Sequence, residues 1–402
     1  MKNPHIVYLS TFMPRDIKDD ISRNIKNFNF NSADAFSYAI LKGLQENIGS
    51  NFTCINVAPV GAYPRFNMRS YFSEHIYIDN GVKIKSIGFS TLIGYMYYSI
   101  YVNTFNEIVK LDKDANNLVF IVYSINIPVL KALIKYKMHY NVNIKIILII
   151  PDQIEDLKSK TLRSKIKTAL YGNIQQIYSH MDGFVLLTKY MNDRINYQKP
   201  YCIIEGIFND SEHRIMMQSS KKKKNILYTG MLYEKFGVKD LIDAFMLTKD
   251  NDYKLILCGC GELEEYIKQS QLKDNRIIYL GLISREEALK LQSSSYLVIN
   301  PRKPDYEFTK YSFPSKNIEY LASGTPVLLY ELPGIPTEYY DYCFHLPINK
   351  SSIDDLRLAI DQILSESTSN LDTLTRRAYK FIKKEKNSKT QVAKILNLIN
   401  TI

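Results

Sequence analysis

In the stretch Ser312-Phe313-Pro314-Ser315-Lys316-Asn317-Ile318-Glu319-Tyr320-Leu321-Ala322-Ser323-Gly324-Thr325-Pro326-Val327, a hydroxyl, an ammonium and a carboxylate are spaced for anion and diol recognition. Pro314 suits a first helical position, because its missing N–H would have no partner there and its fixed φ is already helical. Ser315 and Lys316 then fall in the first turn, where free backbone N–H groups and partial positive charge can hold a diphosphate. Lys316 opposes the helix dipole unless an anion accompanies it. Glu319, one turn on, can accept two ribose hydroxyls. Gly324 closes the helix, and Pro326 to Tyr330 reads as the next strand of a parallel sheet. Taken alone, the residues fit an ordinary helix with a solvated lysine and glutamate equally well.

Such a helix needs a sheet to aim it. Short β-branched runs alternate with helical stretches along the whole chain, the pattern of parallel α/β domains. Strands are expected at His5 to Leu9, Phe52 to Val57, Val82 to Ser86, Leu118 to Tyr123, Ile144 to Ile150 and Gly183 to Leu187. A second set is expected at Asn225 to Thr229, Tyr253 to Cys258, Arg276 to Leu280, Tyr296 to Asn300, Pro326 to Tyr330 and Tyr342 to Leu346. Ligands of such sheets bind at the carboxyl ends of strands, so the useful residues should follow strands. Ser10 to Phe12, Asp152, Gly230, Gly259-Cys260-Gly261 and Gly281-Leu282-Ile283 do so. The glycines admit a ligand or a helix close to the backbone, although Gly259 and Gly261 also suit a tight strand-to-helix turn.

A chain of 402 residues exceeds one typical core, and its 46% apolar content is that of a globular protein. The boundaries read as a first domain over 1–208, a linker over 209–224 that includes Lys221 to Lys224, a second domain over 225–380 and a terminal helix over 381–402. The lysine run reads as a solvated loop, and the terminal helix is free to pack back on the first domain. A net charge of +11, from 52 Lys and Arg against 41 Asp and Glu, favours an acidic partner such as a nucleotide, a nucleic acid or an anionic membrane surface without choosing among them, and for the lysine run itself the solvated loop outweighs a nucleic-acid role. Five scattered cysteines without CxxC spacing suggest reduced thiols in the cytoplasm. The opening run His5 to Leu9 is too short for a signal segment and reads as the first strand. Ser86 to Asn106 has no charge over a length that could span a bilayer, but its glycines, serines and tyrosines favour a half-buried helix, with a lipid-facing helix as the alternative. Asp112-Lys113-Asp114 imitates a metal-binding DxD and reads as a solvated helix end.

Residues 225 to 335 carry a family pattern. Tyr228-Thr229-Gly230-Met231-Leu232-Tyr233-Glu234-Lys235-Phe236-Gly237-Val238, then Leu257-Cys258-Gly259-Cys260-Gly261, Tyr279-Leu280-Gly281 and the stretch ending Glu319 to Val327 occur in the order found in donor domains. The set resembles family 4 glycosyltransferases of the GT-B fold, of the bacterial surface-polysaccharide type. Asp182 to Lys189 looks like the end of a GT-B acceptor domain. The resemblance implies two Rossmann-like α/β domains facing a cleft, one for an acceptor and one for a nucleotide sugar such as a UDP-sugar, with no metal and no cofactor beyond the donor. Glu319 matches the glutamate that binds ribose, Ser315 and Lys316 face the diphosphate, and the backbone at Leu282 matches the stretch that contacts the base. The donor-binding set is Gly230, Lys235, Gly259, Gly261, Leu282, Tyr311, Ser312, Ser315, Lys316 and Glu319.

The chain also departs from the family. The glutamate eight positions before the ribose one, which contacts the donor sugar, is Tyr311 here, and Glu307 upstream is the substitute. The family's arginine and lysine, which neutralise the leaving diphosphate, fall on Met231 and Phe236. Lys316, Lys235 and Arg302 remain to carry that charge. The resemblance implies hexosyl transfer with retention, in which a phosphate oxygen can take the acceptor proton. The catalytic set is Asp152, Glu307 and Lys316; Asp152 either orients an acceptor hydroxyl or caps the following helix. Leu157 to Tyr178 reads as a basic amphipathic helix, either solvated or resting on the inner face of an anionic membrane near a polyprenyl-linked glycan acceptor. A non-catalytic nucleotide-sugar-binding subunit and a GT-B-like sugar-nucleotide 2-epimerase are the alternatives, the latter disfavoured by few carboxylates and histidines at the strand exits.

Overall fold

The computed structural model describes residues 4–26, 32–112, 117–151, 174–195, 197–210 and 222–402. The chain divides into two compact units, Met1–Glu205 with Ser388–Ile402, and Gly206–Asn387.

The first unit holds β1 (His5–Ser10), β2 (Phe52–Asn56), β3 (Tyr71–Phe72), β4 (His75–Asp79), β5 (Val82–Ser86), β6 (Phe89–Ser90), β7 (Leu118–Tyr123), β8 (Lys145–Ile150), β9 (Gly183–Leu186) and β10 (Tyr201–Ile203). Eight of them form one sheet in the order β10-β9-β8-β7-β1-β2-β5-β4, parallel except for the antiparallel edge pair β4–β5; β3 and β6 pair separately. Leu118 to Tyr123 is buried at every position, which is why a near-continuous apolar run lies in the middle of a parallel sheet. β3, β4, β6 and β10 are additional to the strands expected from the sequence. Asp79 and Val82 pair across Asn80 and Gly81, whose φ values of 49° and 81° make the two-residue turn that Asn-Gly favours. The uncharged Ser86 to Asn106 stretch is strand, loop and the start of the helix Met96–Asp112, with Ile100, Thr104 and Ile108 buried and Tyr95, Tyr97 and Tyr98 exposed. No helix among the described residues is long and apolar enough to cross a membrane.

The helix Ser388–Ile399 packs on the helix Ser32–Ile48. Gly43 permits the approach, since a Cβ there would lie 2.4 Å from the Ser388 carbonyl oxygen. Asn47 Nδ2 donates to the Lys389 carbonyl at 2.9 Å, and Lys394 Nζ donates to the Ile203 carbonyl at 3.1 Å.

The second unit holds β11 (Asn225–Thr229), β12 (Lys254–Cys258), β13 (Ile277–Gly281), β14 (Leu297–Asn300), β15 (Val327–Tyr330) and β16 (Phe344–Leu346). All pairs are parallel, in the order β13-β12-β11-β14-β15-β16. The chain winds one way from β11 through β12 to β13 and the other way from β14 to β16. The switch between β11 and β14 opens a crevice at their carboxyl ends, the usual ligand position in such sheets. Helices Val238–Met246, Ile353–Leu364 and Thr368–Glu385 bury Leu241, Phe245, Ile360 and Ile382 in one core with the strands.

The polar linker is not uniformly solvated. Residues 211–221 lie outside the described residues, but Lys222 is anchored: its ammonium donates to the carbonyls of Ser293 and Gly324 at 2.8 and 2.9 Å and to Thr325 Oγ1 at 2.5 Å. These carbonyls end helices, where a cation answers unpaired acceptors and the helix dipole.

Candidate functional site

The exits of β11, β12 and β14 converge by backbone contact, and glycine makes this possible. Gly259, at φ 140°, would place a Cβ 1.7 Å from the Gly230 carbonyl oxygen, and one on Gly261 would lie 2.4 Å from that of Leu232. Gly230 N donates to Cys258 O and Leu232 N to Cys260 O, both at 2.9 Å. At φ 76°, Gly237 lies so close to Pro301 that a Cβ would come within 1.9 Å of its carbonyl oxygen. Gly259 and Gly261, expected to admit a ligand or a helix close to the backbone, admit the loop that leaves β11.

The helix that carries Glu319 spans Lys316–Ala322, starting two residues later than Pro314 at its first position would give; Asn317 N closes a tighter turn onto Pro314 O at 2.9 Å. Ser315 is the exposed residue before it, and its side chain makes no capping bond. Tyr320 fixes the helix. The β11–β14 ladder ends at Leu227 and Val298, so the Thr229 N–H and carbonyl on that side have no strand partner. The buried Tyr320 hydroxyl accepts from Thr229 N and donates to Thr229 O, both at 3.0 Å. Asn317, also buried, accepts a bond of 2.7 Å from Asn300 Nδ2 at the end of β14.

Glu319 is held between two cations. Lys316 Nζ lies 2.9 Å from one carboxylate oxygen and Arg285 Nη2 3.0 Å from the other. Burial alone would raise the Glu319 carboxyl, but Lys316 and Arg285 outweigh it and hold it below the usual glutamate range. The anion that relieves Lys316 at the helix start is thus Glu319 itself. Arg285 had no sequence signal: it opens the helix Arg285–Ser294, and only the fold brings it to Glu319 from 34 residues away.

The remaining donor-side residues expected from the sequence lie in the same unit. Leu282 follows β13 and is 71% exposed, leaving its backbone at the rim. Lys235 sits in the short turn Glu234–Phe236, exposed, with its ammonium 5.3 Å from the Phe236 ring centre. Tyr311 donates to Glu307 Oε1 at 3.4 Å, so the tyrosine at the family's glutamate position touches the proposed substitute. Ser312 Oγ donates to Phe308 O at 3.0 Å. Asp152, residues 157–173 of the basic segment, and Lys113 and Asp114 of the DxD imitation lie outside the described residues. All five cysteines are free.

The first unit contains a cavity of about 330 Å³ that the sequence did not announce, lined by Asp16, Asn24, Asn67, Arg69, Tyr71 and His75 among others. Arg69 grips Asp20 with two bonds of 2.6 and 2.9 Å at its wall. Asp16 in the loop after β1 was the available clue.

Residues 210–386 match the family described as Glycosyl transferases group 1. The structure resembles sucrose-phosphate synthase (tll1590) from Thermosynechococcus elongatus, with a TM-score of 0.65, 12% identity and coverage of 99% of each chain. It also resembles the catalytic domain of starch synthase IV from Arabidopsis thaliana bound to ADP and acarbose (TM-score 0.62, 8% identity, 100% of this chain and 99% of that one). Anabaena Alr3699/HepE in complex with UDP gives a TM-score of 0.61 at 10% identity, covering 99% of this chain and 100% of that one. Among curated proteins, none matches the chain in sequence. The fold is GT-B, with two Rossmann-like domains.

Proposed function

We propose that the protein is a glycosyltransferase that moves a hexose from a nucleotide-diphosphate sugar to a glycan or lipid-linked glycan, with retention and without a metal ion, in cell-surface polysaccharide synthesis. The carrying observation is the Glu319 carboxylate, poised between Lys316 and Arg285 beside the β11–β14 switch point, inside the segment that matches group 1 transferases. A ribose diol replaces the two cations at Glu319, and Lys316, released, turns its charge to the diphosphate. Glu307, joined to Tyr311, serves the donor sugar. Ser312, Ser315 and Lys235 complete the donor side, with the base over the backbone at Leu282. A diphosphate oxygen takes the acceptor proton, and Asp152 orients the acceptor hydroxyl.

The acceptor lies with the first unit, whose cavity presents the mixture of carboxylate, amide and aromatic groups that suits a polyol. Exposed Met68, Leu92, Ile93, Tyr95 and Tyr98 on the same unit support peripheral contact with the inner face of an anionic membrane, in keeping with the net charge of +11. Met231 and Phe236, uncharged at the β11 exit, favour one second reading, a donor-binding subunit without turnover. Nucleotide release from labelled donor sugars, measured with and without acceptor glycan, tests both. Release that requires acceptor supports transfer. Binding without release supports the subunit, and isomerised sugar would instead indicate a 2-epimerase.

A further inference from the structure

Arg302, two residues past β14, is a cation without an anion. Its guanidinium lies 4.5 Å over the Phe236 ring and 5.4 Å from the Phe308 ring centre. The Nε is buried with no hydrogen-bond partner, Nη1 reaches only Ser312 Oγ at 3.5 Å, and among the described residues no carboxylate pairs with it. Burial pulls its pKa down to about 10, opposed by the nearby Tyr228 phenol. Keeping a guanidinium half-buried and unpaired is costly, and such groups mark places where a ligand supplies the missing charge.

The position says which ligand. Arg302 lies at the β11–β14 switch point, where the Gly237–Pro301 contact sets it against the β11 exit loop. That loop brings Met231 and Phe236, which carry no charge, and the guanidinium covers the Phe236 face. A guanidinium over a ring face still carries N–H donors at its edge, and these can bond phosphate oxygens. Ser312 and Lys316, on the segment that follows, supply a hydroxyl and a second charge.

We infer that Arg302 is a diphosphate-binding residue of the donor site, delivering from the β14 exit a charge that Met231 and Phe236 at the β11 exit do not carry. The inference rests on the transferase reading. Calorimetric titration of the full-length protein with UDP, ADP and GDP, and with uridine, adenosine and guanosine, tests it. Wild type should bind at least one diphosphate more tightly than its nucleoside. Arg302→Met should weaken that diphosphate by about 10- to 100-fold and leave its nucleoside within about twofold. Arg302→Lys, charged but without the fork, should lose less. Without ligand, Arg302→Met should melt no lower than wild type, since no partner is left unpaired. Unchanged diphosphate affinity in Arg302→Met overturns the inference and spares the transferase reading. A lower melting temperature with equal loss of diphosphate and nucleoside makes Arg302 structural and also overturns it. Wild type that binds none of the three diphosphates sinks the transferase reading and this inference together.

Discussion

Replacing Tyr320 by phenylalanine removes one oxygen atom and strands two backbone groups. The hydroxyl satisfies both the N–H and the carbonyl of Thr229, at 3.0 Å each, past the end of the β11–β14 ladder. The ring is buried, so water reaches this point only by entering the space the oxygen leaves. Each buried backbone group without a partner costs about 1–3 kcal/mol. With a water recovering part of the deficit, Tyr320→Phe should destabilise the second unit by about 2–4 kcal/mol. The chain has no tryptophan, so denaturant unfolding is best followed by far-UV circular dichroism. Because Tyr320 and Glu319 share one short helix, nucleotide affinity should fall as well. A stability within about 0.5 kcal/mol of wild type would refute the reasoning, since Thr229 would then have other partners.

Glu319→Gln and Lys316→Ala should each abolish most transfer while the protein stays folded; wild-type rates in both would dismiss the site. Since the folded Glu319 carboxyl is depressed below its unfolded value of about 4.5, its stabilisation is fully present above that pH and is lost as pH falls through the folded value. The stability gap between wild type and Glu319→Gln should therefore stay flat from about pH 6 to 8 and narrow only in acid, whereas a gap that narrows near neutrality contradicts the ion-pair account. Gly237→Ala forces a Cβ against the Pro301 carbonyl at positive φ and should cost at least about 2 kcal/mol, visible as a lowered melting temperature. Lys222→Met removes the donor shared by Ser293, Gly324 and Thr325 and should cost about 1–3 kcal/mol; a neutral result would return Lys222 to the solvated run.

The twelve expected strands are present with shifts of a residue or two at their ends, because buried parallel strands are written as unbroken β-branched runs between breakers. The strands the sequence concealed are short or lie at edges. β4 reads HIYID, with one buried position, yet the Asn80-Gly81 turn after it was a legible hairpin signal. Lys316 and Glu319 could be read as a pair because they lie three residues apart on one helix. Arg285, by contrast, reaches Glu319 through the β13–β14 crossover, and such a contact leaves no trace in local spacing. The role of Tyr320 left no local signal, because the backbone groups it satisfies lie 91 residues away. A terminal helix free to pack back on the first domain was legible, but the helix it meets there was not, because the close approach depends on Gly43.

That terminal helix imposes an order on the making of the protein. The first unit is not contiguous in the chain: it needs Ser388–Ile402, and the whole of Gly206–Asn387 is threaded between its two pieces. On the ribosome the second unit can therefore finish first, although it begins in mid-chain, while the sheet that emerged earliest waits for its last helix. Gly206–Asn387 can be cut out as a single gene fragment; the first unit can be made alone only by splicing residue 205 to residue 388 through a new linker.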